Sequence, residues 1–222
     1  MATHIVKITE IIPRTHNVNT FRVTKPEGFI FEPGQATDLN LQRAGWENEK
    51  RPFTFTCLPS DPWLEFTIKS YDDHPGVTHQ LRSLKKGDEF EISDAWGAIA
   101  YQGEGIFLAG GAGVTPFISI FRQLHKDGKT GTNKLFFSNK MEKDIILKEE
   151  FEKILGANFI NIISRQTDTK YLKGRIDREF LQKQVRGFDQ PFYVCGPDPF
   201  VTDILRDLQE LGAHADSLVF EK

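Results

Sequence analysis

The hydrophobic pattern of this chain changes near residue 102, and this change constrains the fold more than any other feature. Before it, short segments rich in β-branched and aromatic residues are separated by turns such as Lys25-Pro26-Glu27-Gly28 and Lys86-Gly87-Asp88. Several short strands at this spacing predict a small antiparallel barrel. After it, apolar runs alternate with amphipathic segments, which predicts a mostly parallel sheet covered by helices on both faces.

The individual elements are predicted from hydrophobic periodicity. In the first part we expect strands at residues 4–12, 19–24, 35–41, 53–57, 64–69 and 89–93, and one helix at 77–84. In the second part we expect strands at 106–109, 134–137, 159–164 and 192–195, and helices at 116–124, 147–155, 177–184 and 198–211. The sequence therefore predicts two domains, a β-barrel over residues 1–101 and an α/β domain over residues 102–222.

Composition narrows the class of protein. The chain is 39% hydrophobic and 27% charged, as globular proteins are, and its net charge of −3 gives no indication of a nucleic-acid partner or an anionic membrane surface. No segment approaches the roughly 20 apolar residues that a membrane helix needs. Residues 1–10 lack the pattern of a signal peptide. We therefore expect a cytoplasmic protein without a membrane or nucleic-acid partner.

Cysteine and histidine usage argues against a metal or cluster site. Cys57 and Cys195 are the two cysteines, too few for an iron–sulfur cluster or a disulfide framework. The six histidines are scattered, with no pair at liganding spacing beside an acidic or cysteine cluster, so no metal site is expected. If the chain transfers electrons, its acceptor must be a separate protein or a small molecule.

Three short segments combine residue types that suit cofactor binding. Arg51-Pro52-Phe53-Thr54 places a cation, an aromatic ring and a hydroxyl within four residues, although a barrel strand with an exposed arginine would look the same. The segment from Leu108 to Pro116 is a glycine-rich turn after an apolar run, which offers backbone N–H groups to a pyrophosphate. Tyr193-Val194-Cys195-Gly196-Pro197 ends another apolar run with a thiol and a rigid turn.

The glycine-rich turn departs from the standard dinucleotide fingerprint. Pro116 stands where that fingerprint has its third glycine, which argues against a standard Rossmann dehydrogenase. A proline suits the first turn of the following helix, because its missing N–H has no helical partner there. A plain turn between strand and helix does not explain why Gly110, Gly111 and Gly113 occupy three of four positions.

In order and spacing these segments resemble the ferredoxin–NADP reductase family of flavin- and nicotinamide-dependent electron-transfer enzymes, over nearly the whole chain. The resemblance implies FAD rather than FMN, with Arg51 at the flavin phosphate and the Thr54 hydroxyl near flavin N5. Phe53 would stack on the isoalloxazine ring in place of the tyrosine that is usual in the family. The residues assigned to the flavin are Arg51, Pro52, Phe53, Thr54, Ile68, Lys69, Gly76, Val77 and Thr78. The Gly76-Val77-Thr78 turn on its own favours a plain helix start, and its position after residues 66–70 is what matches the family.

The same resemblance assigns a nicotinamide nucleotide to the second domain. Its residues are Gly110, Gly111, Gly113, Thr115, Pro116, Ser164, Arg165, Arg175, Cys195, Gly196 and Pro197. Ser164, Arg165 and Arg175 resemble positions that bind the 2′-phosphate, so we expect NADPH rather than NADH; solvated arginines at strand ends are the open alternative. Cys195 would lie beside nicotinamide C4. Glu221 resembles the family's acid near the C-terminus, without the aromatic residue that normally follows it.

The implied function is hydride transfer from NAD(P)H to bound FAD, with Thr54, Cys195 and Glu221 as catalytic residues. Electrons would then pass to a separate acceptor such as ferredoxin, flavodoxin, an oxygenase component or a small molecule. Two alternatives stay open. One is a flavin- or nucleotide-binding subunit with little turnover of its own, and the other is a reductase that releases free reduced flavin.

Overall fold

The computed structural model describes residues 2–71 and 76–220, and these residues form two six-stranded sheets. The strands of the first sheet are β1 (Thr3–Thr15), β2 (Val18–Thr24), β3 (Ala36–Leu41), β4 (Arg51–Thr54), β5 (Trp63–Lys69) and β6 (Glu89–Ser93). They pair antiparallel in the order β4-β3-β6-β1-β2-β5. A bridge between Phe55 and Phe66 brings the two ends of the sheet together, so the sheet forms a nearly closed barrel.

The barrel forms because alternating residues of its strands place apolar side chains in one core. The fully buried members include Val6, Val23, Leu39, Leu41, Phe55, Leu64, Phe66, Phe90 and Ile92. A short helix, α1 (Val77–Gln80), continues into a 3-10 turn at Leu81–Ser83 and adds Val77 and Leu81 to this core. The helix predicted at 77–84 is therefore one α-helical turn followed by a tighter turn.

The second sheet is parallel and alternates with helices. Its elements are β7 (Ile106–Gly110), α2 (Thr115–Lys126), β8 (Lys134–Asn139), α3 (Lys148–Leu155), β9 (Phe159–Ile163), β10 (Leu172–Lys173), α4 (Arg178–Gln184), β11 (Phe192–Cys195), α5 (Asp198–Glu210) and β12 (Leu218–Phe220). The strand order is β10-β9-β8-β7-β11-β12, and every neighbouring pair is parallel. The predicted fold class, an antiparallel barrel followed by a parallel α/β sheet, is confirmed.

Two apolar clusters cover the faces of the parallel sheet. Phe117 and Phe121 of α2 and Phe151 of α3 belong to one cluster, and Leu181 of α4 and Ile204 of α5 belong to the other. Among residues 2–71 and 76–220, no helix has both the length and the apolar character needed to cross a bilayer.

The connection between β6 and β7 contains the predicted domain boundary. Tyr193 of β11 holds two residues of this connection in place. Its hydroxyl accepts a hydrogen bond from the Gln102 N–H and donates one to the Gly103 carbonyl, each at 2.8 Å. Ile99, three residues earlier, is buried in the same apolar cluster as Phe117. The division of the chain between residues 101 and 102 stays a prediction.

The winding of the parallel sheet marks where a ligand is expected. From β7 the chain moves outward through β8 and β9 to β10, and it then returns to β11 on the other side of β7. Open α/β sheets bind ligands at the carboxyl ends of the strands where the winding reverses. In this sheet that position is the end of β7 and β11.

Candidate functional site

The glycine-rich turn lies at this reversal point. Gly110 ends β7, a 3-10 turn covers Gly111–Val114, and α2 begins at Thr115 with Pro116 in its first turn. Gly111 has a φ of +54°, a left-handed conformation that glycine adopts without steric penalty. A side chain added at Gly111 would meet nothing within 4 Å, so this part of the turn presents bare backbone to open space.

Gly113 is required for a different reason, because the turn packs against the turn that follows β11. A Cβ atom at Gly113 would lie 2.3 Å from the Cys195 carbonyl oxygen and 2.5 Å from the Gly196 Cα. A Cβ at Gly196 would lie 2.7 Å from the Phe200 ring. These glycines allow the two turns to approach each other closely, and two motifs that are 82 residues apart in sequence (195 − 113) become one site.

A cleft of about 250 Å³ opens beside these turns. It lies between the carboxyl edge of the parallel sheet and the end of barrel strand β5. Its lining residues include Gly110, Gly111, Ala112, Ser138, Asn139, Lys140, Ser164, Pro197 and Phe200 from the sheet side, and Lys69 and Tyr71 from the barrel side. The structure thus brings together predicted site residues from both halves of the chain.

Asn139 is a residue of this cleft that the sequence reasoning missed. It ends β8, and its side chain is 5% exposed. Within the described part of the chain, its buried Nδ2 has no hydrogen-bond acceptor. A buried amide donor left without a partner is unfavourable, so this atom fits a site where a ligand supplies the acceptor. The only available sequence signal was its position at the end of the second strand of the sheet.

The three residues predicted to bind a 2′-phosphate do not line one common space. Ser164 lines the cleft, and its hydroxyl donates to the Asn139 carbonyl at 3.2 Å. Arg165 lines a neighbouring cavity of about 350 Å³, whereas Arg175 lines neither. Lys140, which the sequence reasoning did not select, lines both cavities.

This neighbouring cavity, termed the basic cavity below, carries an excess of positive charge. Its basic residues are His16, Lys69, Lys140, Lys143 and Arg165. Asp144 is the acidic residue among its lining side chains, and its carboxylate accepts a hydrogen bond from the Met141 N–H at 3.0 Å. The cavity therefore favours an anion.

The predicted flavin segment Arg51–Thr54 is strand β4, which pairs with β3 at one end of the barrel sheet. The bridge between Phe55 and Phe66 is not continued into a ladder between β4 and β5 among the described residues. This break in strand pairing, between Phe53 and Thr54 on one side and Ile68 and Lys69 on the other, is termed the β4–β5 opening below.

The side chains at the β4–β5 opening differ in accessibility. Arg51 is exposed and forms an ion pair with Glu49 at 3.1 Å, while Phe53 is half-buried against the barrel core. Ile68 and Val77 are only 3% and 2% exposed, because their side chains belong to that core. These two predicted cofactor-binding residues can contact a ligand only through their backbone.

The predicted flavin-binding residues Gly76, Val77 and Thr78 lie at the start of α1. Gly76 has an extended backbone and no side chain caps the helix, while Thr78 is half-buried. Since α1 has only four residues, the N–H groups at its start act through hydrogen bonds more than through a helix dipole.

The two cysteines lie in different environments. Cys195 ends β11 beside Ala109 and is half-buried. Burial raises the pKa of the Cys57 thiol to about 12, so this group is protonated and unreactive at neutral pH. The predicted catalytic Glu221 lies outside the described residues. Within residues 2–71 and 76–220 no group of three or more histidine, cysteine or acidic side chains has a metal-binding arrangement.

Comparison with known proteins identifies the second domain. Residues 107–206 match the family of the oxidoreductase NAD-binding domain. The chain is 26% identical over 234 aligned residues to the reductase component of propane 2-monooxygenase from Rhodococcus jostii (strain RHA1), covering 97% of this chain and 62% of that protein. It is 30% identical to NADH-cytochrome b5 reductase 2 from Meyerozyma guilliermondii, covering 68% of this chain and 55% of that one. The chain thus spans less than two thirds of the length of these curated relatives.

Solved structures share the complete two-domain fold. The ferredoxin NADP+ reductase from Neisseria gonorrhoeae, solved with bound FAD and NADP, superposes with a TM-score of 0.86 at 20% identity, covering 100% of this chain and 98% of that one. The FAD/NAD-binding domain of nitric oxide dioxygenase from Vibrio cholerae gives a TM-score of 0.86 at 19% identity, covering 98% and 97%.

A barrel followed by an NAD-binding α/β domain is the arrangement that this chain shares with those two solved proteins. The match of residues 107–206 to the NAD-binding domain family, together with the shared two-domain fold, supports the resemblance to the ferredoxin–NADP reductase family that the motifs show.

Proposed function

We propose that the chain is an NAD(P)H-dependent flavoprotein reductase. It binds FAD at the β4–β5 opening and the nicotinamide nucleotide in the 250 Å³ cleft. The observation that supports this most is the composition of the cleft, in which the two glycine-containing turns and Lys69 at the end of β5 line one space. When bound, the two cofactors supply the redox chemistry, hydride transfer followed by electron transfer to an acceptor.

The residues of the cleft fit a dinucleotide. Gly111 and Ala112 present backbone N–H groups without a bulky side chain, which suits a pyrophosphate at the start of α2. The Thr115 hydroxyl donates to the Ala112 carbonyl at 3.0 Å, so it holds the turn in shape. The Asn139 amide supplies a buried donor, and Pro197, two residues after Cys195, lines the cleft.

The proposed roles in the barrel concern flavin binding and orientation. Arg51 has an exposed guanidinium, whose N–H groups suit the oxygens of a phosphate group. The backbone of Gly76 to Thr78 supplies further N–H donors. Phe53 offers a ring face for stacking, and Thr54 offers a hydroxyl for the flavin N5 region. Ile68 and Lys69 contribute backbone groups from the opposite edge of the β4–β5 opening.

We further propose that the nucleotide is NADPH, with its 2′-phosphate directed toward the basic cavity. Lys140 and Arg165 are the cations that support this, because Lys140 lines both the cleft and the basic cavity. The earlier assignment to Arg175 is replaced by Lys140, since Arg175 lines neither space. The family's reductase components also support a separate acceptor, and we propose an oxygenase component, ferredoxin or flavodoxin.

Anaerobic titration of the purified protein tests this function. A yellow protein with flavin absorbance that NADPH bleaches at stoichiometric amounts is the expected result, with NADH less effective. Rapid NADPH-dependent reduction of ferricyanide would exclude a non-catalytic subunit, and FAD retained through gel filtration would exclude a reductase that supplies free flavin. A colourless protein that binds no added FAD would overturn the proposal.

A further inference from the structure

We propose that Arg122 is a positioning residue, which fixes the nucleotide-binding turn relative to the β4–β5 opening by anchoring α2 to the barrel. The inference rests on the proposed function, because it concerns how the two cofactor sites are held in register. It starts from one guanidinium group whose contacts join both halves of the molecule.

Arg122 uses its donors in two directions. Toward the barrel, its Nη1 donates to the Glu65 carboxylate and to the Thr56 carbonyl, each at 2.6 Å. Toward the α/β half, its Nε and Nη2 donate to the two oxygens of Glu150 at 2.5 and 2.9 Å. Strand β5, helix α2 and helix α3 therefore meet at a single side chain.

The contact with Glu65 restricts movement of α2 relative to the barrel, because Glu65 is a charged group with only 2% of its surface exposed. Its Oε2 atom accepts from the Nε of Arg22 at 3.1 Å, and the Thr56 hydroxyl donates at 3.0 Å to Oε1, the oxygen that Arg122 contacts. A buried carboxylate that loses a cationic partner is left strongly unfavourable. A shift of α2 away from the barrel would separate Arg122 from Glu65, and the fold resists such a shift.

Two further residues of α2 contact the barrel on the same face of the helix. Ser119, three residues before Arg122, accepts a hydrogen bond from the Gly34 N–H at 3.0 Å. Lys126, four residues after it, donates to the Ser60 hydroxyl at 2.7 Å. This spacing places all three residues on one stripe of the helix. Arg122 is the member of this stripe that reaches a buried charge.

The geometry connects this anchor to both proposed cofactor sites. Helix α2 is about 18 Å long at about 1.5 Å per residue and begins directly after the glycine-rich turn. Glu65 lies on β5, the strand whose end carries Ile68 and Lys69 to the β4–β5 opening. Arg122 thus joins the helix that carries the nucleotide turn to the strand that borders the flavin opening. Reaction rates depend steeply on such positioning, since a 1 Å displacement can lower a rate by about 100-fold.

The experiment separates positioning from simple stabilisation by using a matched arginine. Arg122→Met removes the link between the two halves. Arg22→Met removes a cation from the same Glu65 but stays within the barrel, where Arg22 also pairs with Glu10 at 2.7 Å. The double variant Arg122→Met/Glu65→Gln also breaks the link but leaves no buried charge, so it remains usable if Arg122→Met folds poorly.

The readout is the limiting rate of flavin reduction at saturating NADPH, measured by anaerobic stopped-flow together with FAD retention. We expect both variants lacking Arg122 to hold FAD normally and to be reduced about tenfold more slowly. The Arg22→Met variant should be reduced at the parent rate. A parent-like rate in the double variant, with only its stability changed, would overturn the inference.

A second readout needs no cofactor and distinguishes failure of the inference from failure of the proposed function. In calorimetry of the cofactor-free chain, the parent and Arg22→Met should unfold in one transition, and the double variant in a broadened or split one, because the charged contact between α2 and the barrel is lost. If the parent is not reduced by either nucleotide, the proposed function fails, and calorimetry then decides the inference alone. One cooperative transition in the double variant, as sharp as that of the parent, would overturn it.

Discussion

The nucleotide cleft and the β4–β5 opening are built by different means, although both are proposed to bind a cofactor. In the cleft, Gly113 and Gly196 lie where backbone and side-chain atoms leave no room for a Cβ atom. At the opening, Arg51 is exposed on an edge strand and Phe53 is half-buried. Packing of the fold therefore fixes the cleft, whereas the side chains at the opening contribute little to the stability of the fold. Substitutions in the two regions should therefore have different consequences.

The largest effect is expected from Gly113→Ala. The added methyl group would meet the Cys195 carbonyl at 2.3 Å, so the two turns must separate. We expect the free energy of unfolding to fall by roughly 1–3 kcal/mol or more, together with loss of nucleotide binding. Urea unfolding monitored by circular dichroism measures the first, and calorimetric titration with NADP+ the second.

Gly45→Ala is the matched control for that variant. Unlike Gly113, Gly45 has a positive φ, of +84°, and a Cβ atom there would meet nothing within 4 Å, so this variant adds backbone strain without a steric contact. It should lose only about 1 kcal/mol through backbone strain and should bind the nucleotide as the parent does. If Gly113→Ala lost no more stability than Gly45→Ala and still bound the nucleotide, the close contact between the two turns would not be what makes Gly113 necessary.

Arg51→Ala should show the opposite behaviour in the barrel. The guanidinium is exposed and its ion pair with Glu49 is on the surface, so the cofactor-free chain should unfold at the parent urea concentration. Loss of a charge-assisted hydrogen bond to a phosphate should weaken FAD binding by about tenfold or more. Fluorescence titration with FAD measures this.

Arg43→Ala tests whether any exposed arginine of the barrel has the same effect. Arg43 is also exposed and donates to the Ser83 hydroxyl at 2.6 Å. FAD affinity should be unchanged in this variant. A parent-like FAD affinity in Arg51→Ala would remove Arg51 from the flavin site, and a large loss of stability would contradict the contrast between the two regions.

Most of the fold and part of the candidate site could be predicted from the sequence. Period-2 and helical spacing predicted most of the strands and helices, because each of those segments covers enough residues to show its period. The strands β10 and β12 were missed, since they have two and three residues. The glycine-rich turn was identified correctly as a special backbone, and its position at the end of β7 is confirmed.

Contacts between distant segments could not be predicted from one sequence. The reason for Gly113 is the Cys195-Gly196 backbone, which only the folded sheet places beside it. Arg122 and Glu65 are 57 residues apart and belong to different halves of the chain. Lys140 and Asn139 were passed over in favour of Arg175, because a strand end does not reveal which side chain lines a cleft.

The next prediction concerns discrimination between the two nucleotides in the cleft. In the double variant Lys140→Ala/Arg165→Ala, we expect the KM for NADPH to rise about tenfold while the KM for NADH stays unchanged, because only NADPH carries the 2′-phosphate. Steady-state ferricyanide reduction measures both. Arg175→Ala is the control and should leave both values unchanged. A rise for both nucleotides would place these cations at a group the two share.

The smallest effect is expected in the pH dependence of stability, and it concerns the contact that joins the two regions. Burial alone would raise the pKa of Glu65, but the charge and hydrogen bonds of Arg122, with hydrogen bonds from Arg22 and Thr56, outweigh burial and hold the pKa below its usual value of 4.5. The ionised pair therefore stabilises the fold at neutral pH, and this contribution is lost as the pH falls below 4.5 through the folded-state pKa.

Comparison of the parent with Glu65→Gln isolates this contribution. The urea midpoint of the parent should decline more steeply between neutral pH and pH values below 4.5 than that of Glu65→Gln, which has no carboxyl group to titrate at this position. Asp94→Asn provides the control: hydrogen bonds from His4 and the Ala2 N–H lower the pKa of the Asp94 carboxyl, and both of these partners belong to the barrel half. If the urea midpoints of Glu65→Gln and the parent declined in parallel, other titrating groups would cause the loss of stability in acid. The ion pair between the halves would then contribute nothing to the acid sensitivity of the protein.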